Sequence, residues 1–515
     1  MPRGDGLFAG SRKAKKLDLT LQIEELAPAS IEEVLRLPSF LETLREIERM
    51  HDRPFAALSL AEQDSVILLR LKQIVNIASL NPCWRDRLMA AGVSQGIRSF
   101  DEWQEIPITD KEAFGDLFTG ARPGLVVPLD HCGFEIVASG GTTSGRPSET
   151  VYSLKELWDT YEFAGEFIGR HLIPRYLGHS GPKWVATTLA DYQMWSSGTM
   201  VGGVLQRIPG VNYVGAGPMS REVYHHMMRY PGPKAIMGIS QSIALLADFA
   251  EGLEEEARQS FRAALYGSGL LSVKVENDLR AVYPNLSILS YFAATQAETI
   301  GLQLADDSKT LCEVPGLHLV EIVDECGRWV GEGEEGELVV TRLHATEAPV
   351  LRYKVGDRFL RRSDLVTEEL STRQFEFNGR SGDFLHIGDT QYSARRALQS
   401  IFKQFSTLNI NDLESIAHTI QFVNNRRTKE LYLILSVDSQ REVRTAIAGK
   451  LGPEGSAPLI MRGLIASLSL FNSLEANEAS LYKAGYKYGL KVVDRQSNEI
   501  VRSEVGKIPL VVDRL

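Results

Sequence analysis

Ala138 to Ser148 reads Ala-Ser-Gly-Gly-Thr-Thr-Ser-Gly-Arg-Pro-Ser, three glycines and five hydroxyl side chains in eleven residues. Glycine reaches backbone conformations closed to other residues, so such a loop can aim successive N–H and O–H donors at one anion. A phosphate chain is the chemistry the pattern suits, and a plain surface turn is the alternative. The loop is not of the G-x-x-x-x-G-K-[ST] kind, because Arg146-Pro147 follows Gly145 where Lys-Ser/Thr is needed. GAGPMS from Gly215 and GSGLLS from Gly267 each hold two of the three glycines of a dinucleotide fingerprint, a match short enough to arise by chance. Cys312, His318 and Cys326 have no familiar zinc spacing and read as ordinary core or surface positions. The four cysteines are isolated, without C-x-x-C spacing, so reduced thiols are expected rather than a disulfide framework.

The elements that must carry this loop change character along the chain. Residues 1–125 read as a helical lead-in: Ser30 with Glu33 and Ser39 with Glu42 form capping boxes, and Ile67, Leu71, Ile74 and Ala78 recur on one helical face. From 126 to 379 short apolar runs (FEIVA, WVATTLA, AIMGIS, AALYGSGLL, LSILSYFAATQ) alternate with amphipathic stretches, which predicts an α/β core. Its β-rich part near 316–379 is GLHLVEIVDECGRWV, GELVVTRL and VLRYKVGDRFL. Residues 380–515 predict a small α+β domain, with a helix over Ala394 to Phe402, a hairpin turning at Asn424-Asn425 and a helix near Arg441 to Leu451. The fold class expected is therefore α/β, a large N-terminal domain followed by a small C-terminal one.

Composition narrows the function. The chain has 515 residues, 56 Lys+Arg against 66 Asp+Glu, 43% hydrophobic and 24% charged residues, a near-average globular balance with net charge −10. That balance argues against nucleic-acid binding, which needs a basic face, and the basic run Arg12 to Lys16 reads as a solvated tail. No run approaches the roughly 20 apolar residues that span a bilayer, and no signal-peptide core is visible, so a cytoplasmic protein is expected.

SGGTTSGRP closely resembles the phosphate-binding signature of the adenylate-forming superfamily of acyl- and aryl-CoA synthetases, adenylation domains and luciferases, with one extra residue, Ser144. Further matches follow in order: TQAETIG from Thr295, preceded by Tyr291-Phe292-Ala293-Ala294, resembles the aromatic-Gly-x-Thr-Glu motif; LRYKVGD ending at Asp357 resembles R-Y-x-x-G-D; GRSGDFLHIGD from Gly379 resembles the hinge motif; and GKIPLVVDRL resembles the segment with the catalytic lysine. Asn81-Pro82-Cys83-Trp84-Arg85, IPITDKEAF and EIVDECGRWVGEGEEGELVVTRL are similar to the phenylacetate-CoA ligase group.

The resemblance implies ATP-dependent, AMP-forming activation of a carboxylic acid, then transfer to CoA, with ATP, Mg²⁺ and CoA as cofactors. It implies catalytic roles for Lys507 and Thr295. Nucleotide contacts are implied for Ser139, Gly141, Thr142, Thr143, Ser144, Gly145, Ser268, Gly269, Tyr291, Phe292, Thr295, Asp357 and Arg380, with Arg146 as a countercharge. Asp357 is expected to accept from both ribose hydroxyls. Ser381, Gly382 and Asp383 are expected to form the hinge of a mobile small domain. Two departures stand out: Gln296 replaces the usual magnesium-binding glutamate, with Glu298 as a substitute ligand, and Phe292 and Ala293 replace the usual tyrosine and glycine. The acid is expected among Tyr192, Trp195, Ser196, Gly198, Tyr213, Gly238, Ile239, Gly267 and Ala293, whose small and aromatic residues suit a flat ring such as a benzoate, aminobenzoate or arylacetate. Rival readings pass the adenylate to an amine or a carrier protein's phosphopantetheine arm, or leave a degenerate nucleotide-binding protein. A downstream acyltransferase and a homodimer are further partners to expect.

Overall fold

A computed structural model describes residues 28–139, 148–388, 390–410, 413–451, 455–468, 481–503 and 507–514. Gly141, Thr142, Thr143, Ser144, Gly145 and Arg146, and the basic run at 12–16, lie outside the described residues.

The lead-in is helical, and of the two capping boxes expected only Ser39 with Glu42 closes: Ser30 Oγ accepts from Glu33 N, but the Glu33 carboxylate takes Ala29 N instead of the cap's own amide. Ser39 and Glu42 cap reciprocally ahead of helix Phe40–His51, and Ser59 and Glu62 do the same for Leu60–Ala78, whose Ile67, Leu71, Ile74 and Ala78 are all buried. Eleven strands then form one sheet. Five are parallel, in the order Asn212–Gly215, Trp184–Thr187, Lys234–Ile239, Phe261–Gly267 and Ser287–Ala294. Alternate side chains enter opposite cores, as strand geometry requires. Val185, Ala235, Met237, Ala263, Leu265 and Leu289 join the core shared with the lead-in and helix Leu154–His171. Ala186, Ile236, Ala264 and Ile288 join a second core under helices Arg221–Met228, Ser240–Asp248 and Val273–Val282.

The sheet continues antiparallel through Glu298–Leu302, Leu311–Glu313, Ser371–Arg380, Tyr353–Val366, Glu335–Arg342 and His318–Val323. A separate hairpin pairs Phe134–Ser139 with Ser148–Ser153, and the Gly/Thr segment joins its ends, Ser139 standing opposite Ser148. Past the strand pair Phe384–Ile387 and Thr390–Ser393, helices Ala394–Ser406 and Ala457–Ser467 pack on a four-stranded sheet ordered Lys487–Asp494, Glu430–Val437, Thr419–Asn425, Val511–Arg514. The hairpin turn falls at Arg426–Lys429 rather than at Asn424-Asn425. Both asparagines remain paired in the strand, and the Asn424 amide donates to His386 O (3.0 Å) and Asp513 Oδ1 (2.8 Å), so side-chain bonding holds them there.

Candidate active site

Asp357 and Arg380 face each other on neighbouring antiparallel strands, with Nε to Oδ1 at 3.6 Å. Their strand is braced from the lead-in. Arg352, the arginine of the R-Y-x-x-G-D segment, is buried and spends its donors on Gln104 O (2.6 Å), Ile106 O (2.7 Å), Gly327 O (2.6 Å) and Glu321 (3.2 Å). Thr109, within IPITDKEAF, exchanges backbone bonds with Arg352 and Lys354 at 2.9 Å each. This motif arginine is therefore a girder, and among the described residues the carboxylate of Asp357, five residues on, keeps only the Arg380 contact. Burial, aided by Asp383 and Glu337 and opposed by Arg380, pushes the Asp357 carboxyl up to about 6. Because Arg380 is more than half exposed, this pair contributes little stability and leaves the carboxylate able to accept other donors.

The strand Ser287–Ala294 divides its two aromatic residues between faces. Tyr291 is buried against Gly267, where a Cβ would come within 2.6 Å of its ring, and its hydroxyl donates to Gly238 O at 3.4 Å. Ser240 Oγ donates to Gly269 O (2.8 Å) and Gly267 O (3.3 Å), so the segments at 238–240 and 267–269 are pinned together, and Ser268 has φ +61. Phe292 turns to the opposite face and packs edge-on to Phe359 (4.9 Å between centroids) and beside Phe377 (6.2 Å). Thr295 closes the turn that follows, its carbonyl accepting from Tyr152 Oη at 2.8 Å. Tyr152 belongs to the hairpin that carries the Gly/Thr segment, and the guanidinium of Arg342 covers its ring at 4.1 Å.

Gln296 is buried. Glu298, at φ +49, accepts from Thr160 Oγ1 (2.9 and 3.1 Å) and is pushed up to about 7 by burial. No group of three or more His, Cys, Asp or Glu side chains is placed to hold a metal among the described residues. A buried carboxylate engaged this way and pushed toward its neutral form does not fit a hard-cation ligand. Beneath it, Arg342 Nε stands 3.1 Å from Glu156 Oε1, both side chains essentially without exposure. Sequence reading missed that pair, because nothing local links positions 156 and 342.

Lys507 reaches this site from the small domain. Its Nζ lies 4.6 Å from the ring centre of Trp195, and burial first and Arg380 second lower its amine to about 8. Ser503 holds the lysine's backbone on both sides, N to Lys507 O at 2.8 Å and Oγ from Lys507 N at 3.0 Å. Trp195 sits in a tight turn, exchanging backbone bonds with Tyr192 at 2.8 and 2.9 Å, while Met194 O accepts from Ala138 N at 2.8 Å. At the expected hinge, Ser381 N donates to Gly356 O (2.9 Å) and its Oγ to Glu337 (2.5 Å), Asp383 N donates to Arg380 O (3.1 Å), and Gly382 is exposed with open space around its Cα.

An open cleft of about 570 Å³ lies between helices Leu154–His171 and Ser197–Leu205. Of the expected acid-pocket residues it is lined by Gly198 and Tyr213, and not by Tyr192, Trp195, Ser196, Gly238, Ile239, Gly267 or Ala293. Instead Tyr161, Gly202, Gly203, Gln206 and Asp191 line it. Two tyrosines lie on glycine: a Cβ at Gly203 would meet the Tyr161 ring at 2.4 Å, and one at Gly202 the Tyr213 hydroxyl at 2.7 Å. Gly238 and Gly267 drop out because Thr188, Ser242 and Tyr291 already fill the space above them.

No family model matches the sequence, and no curated protein matches it either. Solved structures do. A 2-hydroxyisobutyryl-CoA ligase in its postadenylation state, in complex with R3-HIB-AMP, is 16% identical over 89% of this chain and 91% of its own, with a TM-score of 0.66. The same ligase with 2-HIB-AMP and CoA in the thioesterification state gives 0.55 at the same identity and coverage. An acyl acid amido synthetase in complex with 2,4-DB, 13% identical over 88% and 89% of the two chains, gives 0.59. The chain has the fold of the adenylate-forming ligases. No helix among the described residues is long and apolar enough to cross a membrane.

Proposed function

We propose that this protein is an AMP-forming acid–thiol ligase that activates an aromatic carboxylic acid with ATP and passes the acyl group to CoA. The observation that carries the reading is that Lys507 stands against Trp195 within the field of Arg380, while Asp357 and Arg380 pair across neighbouring strands inside the sheet. A carboxylate needs a better leaving group than oxide before it can acylate anything. Its oxygen attacks the α-phosphorus of ATP, the bond to the bridging oxygen breaks, and pyrophosphate leaves. A thiol sulfur then attacks the acyl carbon, loses its proton, and AMP departs. The first step brings two anions together, so positioned positive charge supplies most of the help.

Lys507 bridges the acid's carboxylate and the α-phosphate, and its place against a ring keeps the ammonium poorly hydrated and therefore strongly interacting. Asp357 accepts the ribose hydroxyls, and Arg380 faces the same sugar or the phosphate. The hairpin ending at Ser139 and Ser148 presents the Gly/Thr segment to the pyrophosphate. The two tyrosines on glycine form walls for a flat ring, which favours a benzoate, aminobenzoate or arylacetate.

The test is pyrophosphate release with ATP and Mg²⁺ against aromatic and aliphatic acids, with and without CoA, with Lys507→Ala as control. Turnover that needs one aromatic acid and CoA, and is lost in the variant, is expected. Release with aliphatic acids only refutes the aromatic assignment, and acid-dependent AMP without thioester moves the acceptor to an amine or a carrier protein.

A further inference from the structure

Lys507 can stand over Trp195 only while the small domain is held against the large one, and many of the contacts between them among the described residues are polar. One of them is a ring of four side chains. Lys274, on helix Val273–Val282, contacts Asp278 on the next turn (2.5 and 2.6 Å) and Asp438 of the small domain (3.2 Å). Asp438 in turn accepts from His418 Nε2 at 2.7 Å, and His418 Nδ1 looks back at Asp278 Oδ2 from 4.0 Å. Nitrogen donors and carboxylates therefore alternate around the ring, two residues from each domain, with Lys274 as its cation and with burial lowering the His418 imidazole below its ordinary value. The His418 side chain is only 7% exposed, and its Nδ1 has no hydrogen-bond partner among the described residues, so the ring is closed on the protein side and incomplete by one bond. A second tie lies beside it: Arg495 grips Asp248, at the end of helix Ser240–Asp248, with both terminal nitrogens at 3.1 Å.

Ties of this kind suit a joint that must open. Partly exposed ion pairs are each worth little, and water re-solvates them at small cost once they part, whereas an apolar contact of similar strength would expose a greasy face. Other bonds between the domains, Arg395 to Phe377 O (2.6 Å), Arg396 to Glu335 (2.8 Å) and those of Ser381 at the hinge itself, begin within about a dozen residues of Gly382 and so move least in any turn about it.

We propose that Lys274, Asp278, His418 and Asp438 form a latch whose closure positions Lys507 for acid adenylation and whose release commits the protein to the acceptor step. They are positioning residues, and the inference rests on the ligase reading above. The test has two arms on Lys274→Met/Asp438→Asn, with Asp438→Glu as the conservative replacement and Lys429→Gln as an exposed control in the same domain. Small-angle scattering reads the domain arrangement without any substrate. The double variant is expected to show a larger radius of gyration and a broader pair-distance distribution, with Asp438→Glu and Lys429→Gln like the parent. Half-reactions are then timed separately, adenylate by hydroxylamine trapping and thioester formation from enzyme-bound adenylate. Adenylation is expected to fall about tenfold while thioester formation holds or rises, a split that general destabilisation would not produce. Arg495→Gln, which cuts the second tie alone, is expected to move both readouts in the same direction. Unchanged scattering, or an equal fall in both half-reactions, overturns the latch. If no acid in the panel gives adenylate with the parent protein, the scattering arm alone decides the latch and the loss falls on the ligase reading.

Discussion

Removing the charge of Arg380 should move the alkaline limb of adenylate formation upward. The Lys507 amine is lowered to about 8, by burial first and by the Arg380 guanidinium second. Against an ordinary lysine this corresponds to about 3 kcal/mol in favour of the neutral amine. The direction follows from the lowered value. Below about 8 the group is charged and able to neutralise the approaching anions, and that capacity is lost as the pH rises through 8. The rate constant kcat/KM, which reports the free enzyme, should therefore fall with a one-proton limb near 8, and kcat should fall later because bound phosphates favour the charged amine. In Arg380→Gln the smaller cause is gone and the larger remains, so the limb should rise but stay below that of an ordinary lysine. Lys507→Ala should abolish the limb and cost on the order of 10²–10³-fold. Folding stability supplies a second sign: between about 8 and 10.5 the unfolded chain binds a proton that the folded chain has released, so Lys507 makes stability rise with pH across that window, and Lys507→Met removes the rise. Initial rates of pyrophosphate release from pH 6 to 10 at fixed ionic strength measure the limb. A parent limb at 10 or above, or a limb in Arg380→Gln that stays put or falls, refutes the reasoning.

Asp357→Asn should raise the KM for ATP at least tenfold, since a ribose loses its two-oxygen acceptor, and the parent's rate should fall below about pH 6 as the carboxyl takes a proton. The same change should stabilise the fold by on the order of 1 kcal/mol at pH 8 and not at pH 4, because a carboxyl raised by burial loses stability as pH rises through its folded value; thermal melts at the two pH values check this. Gly203→Ala should cost about 1–3 kcal/mol and impair acid-dependent turnover, because the new Cβ meets the Tyr161 ring at 2.4 Å; a melt and a KM for the acid read the two effects.

Legibility in the sequence followed the range of the signal. Capping boxes, the apolar face of Leu60–Ala78 and the β-rich runs are local patterns, and each became the element expected of it. Helix Ala394–Ser406 merely ran four residues longer than its apolar face suggested. Ordered motifs likewise brought Asp357, Arg380 and Lys507 toward one place. What stayed hidden depends on chain segments meeting in space. Tyr161 on Gly203, Arg342 beside Glu156 and the ring around His418 join positions from about 40 to nearly 190 residues apart, and no periodicity announces them. Strand alternation decided between Tyr291 and Phe292, which a motif alone treats as one aromatic pair.

The hairpin Phe134–Ser139 with Ser148–Ser153 lies outside the large sheet, and two of its several ties are Tyr152 Oη to Thr295 O and Ala138 N to Met194 O. Each bond ends on a main-chain carbonyl, so substitution of Thr295 or Met194 leaves its acceptor in place. One brace answers to the turn after strand Ser287–Ala294 and the other to the turn that carries Trp195. Energetic linkage between ligands follows: ordering the hairpin from one side lowers the cost of ordering it from the other, so nucleotide and acid should each tighten the other's binding by the same factor. The hairpin thus acts as a differential between two sites, one of whose shafts is the Tyr152 hydroxyl, so Tyr152→Phe should uncouple the two ligands while substitution of Thr295 or Met194 should not.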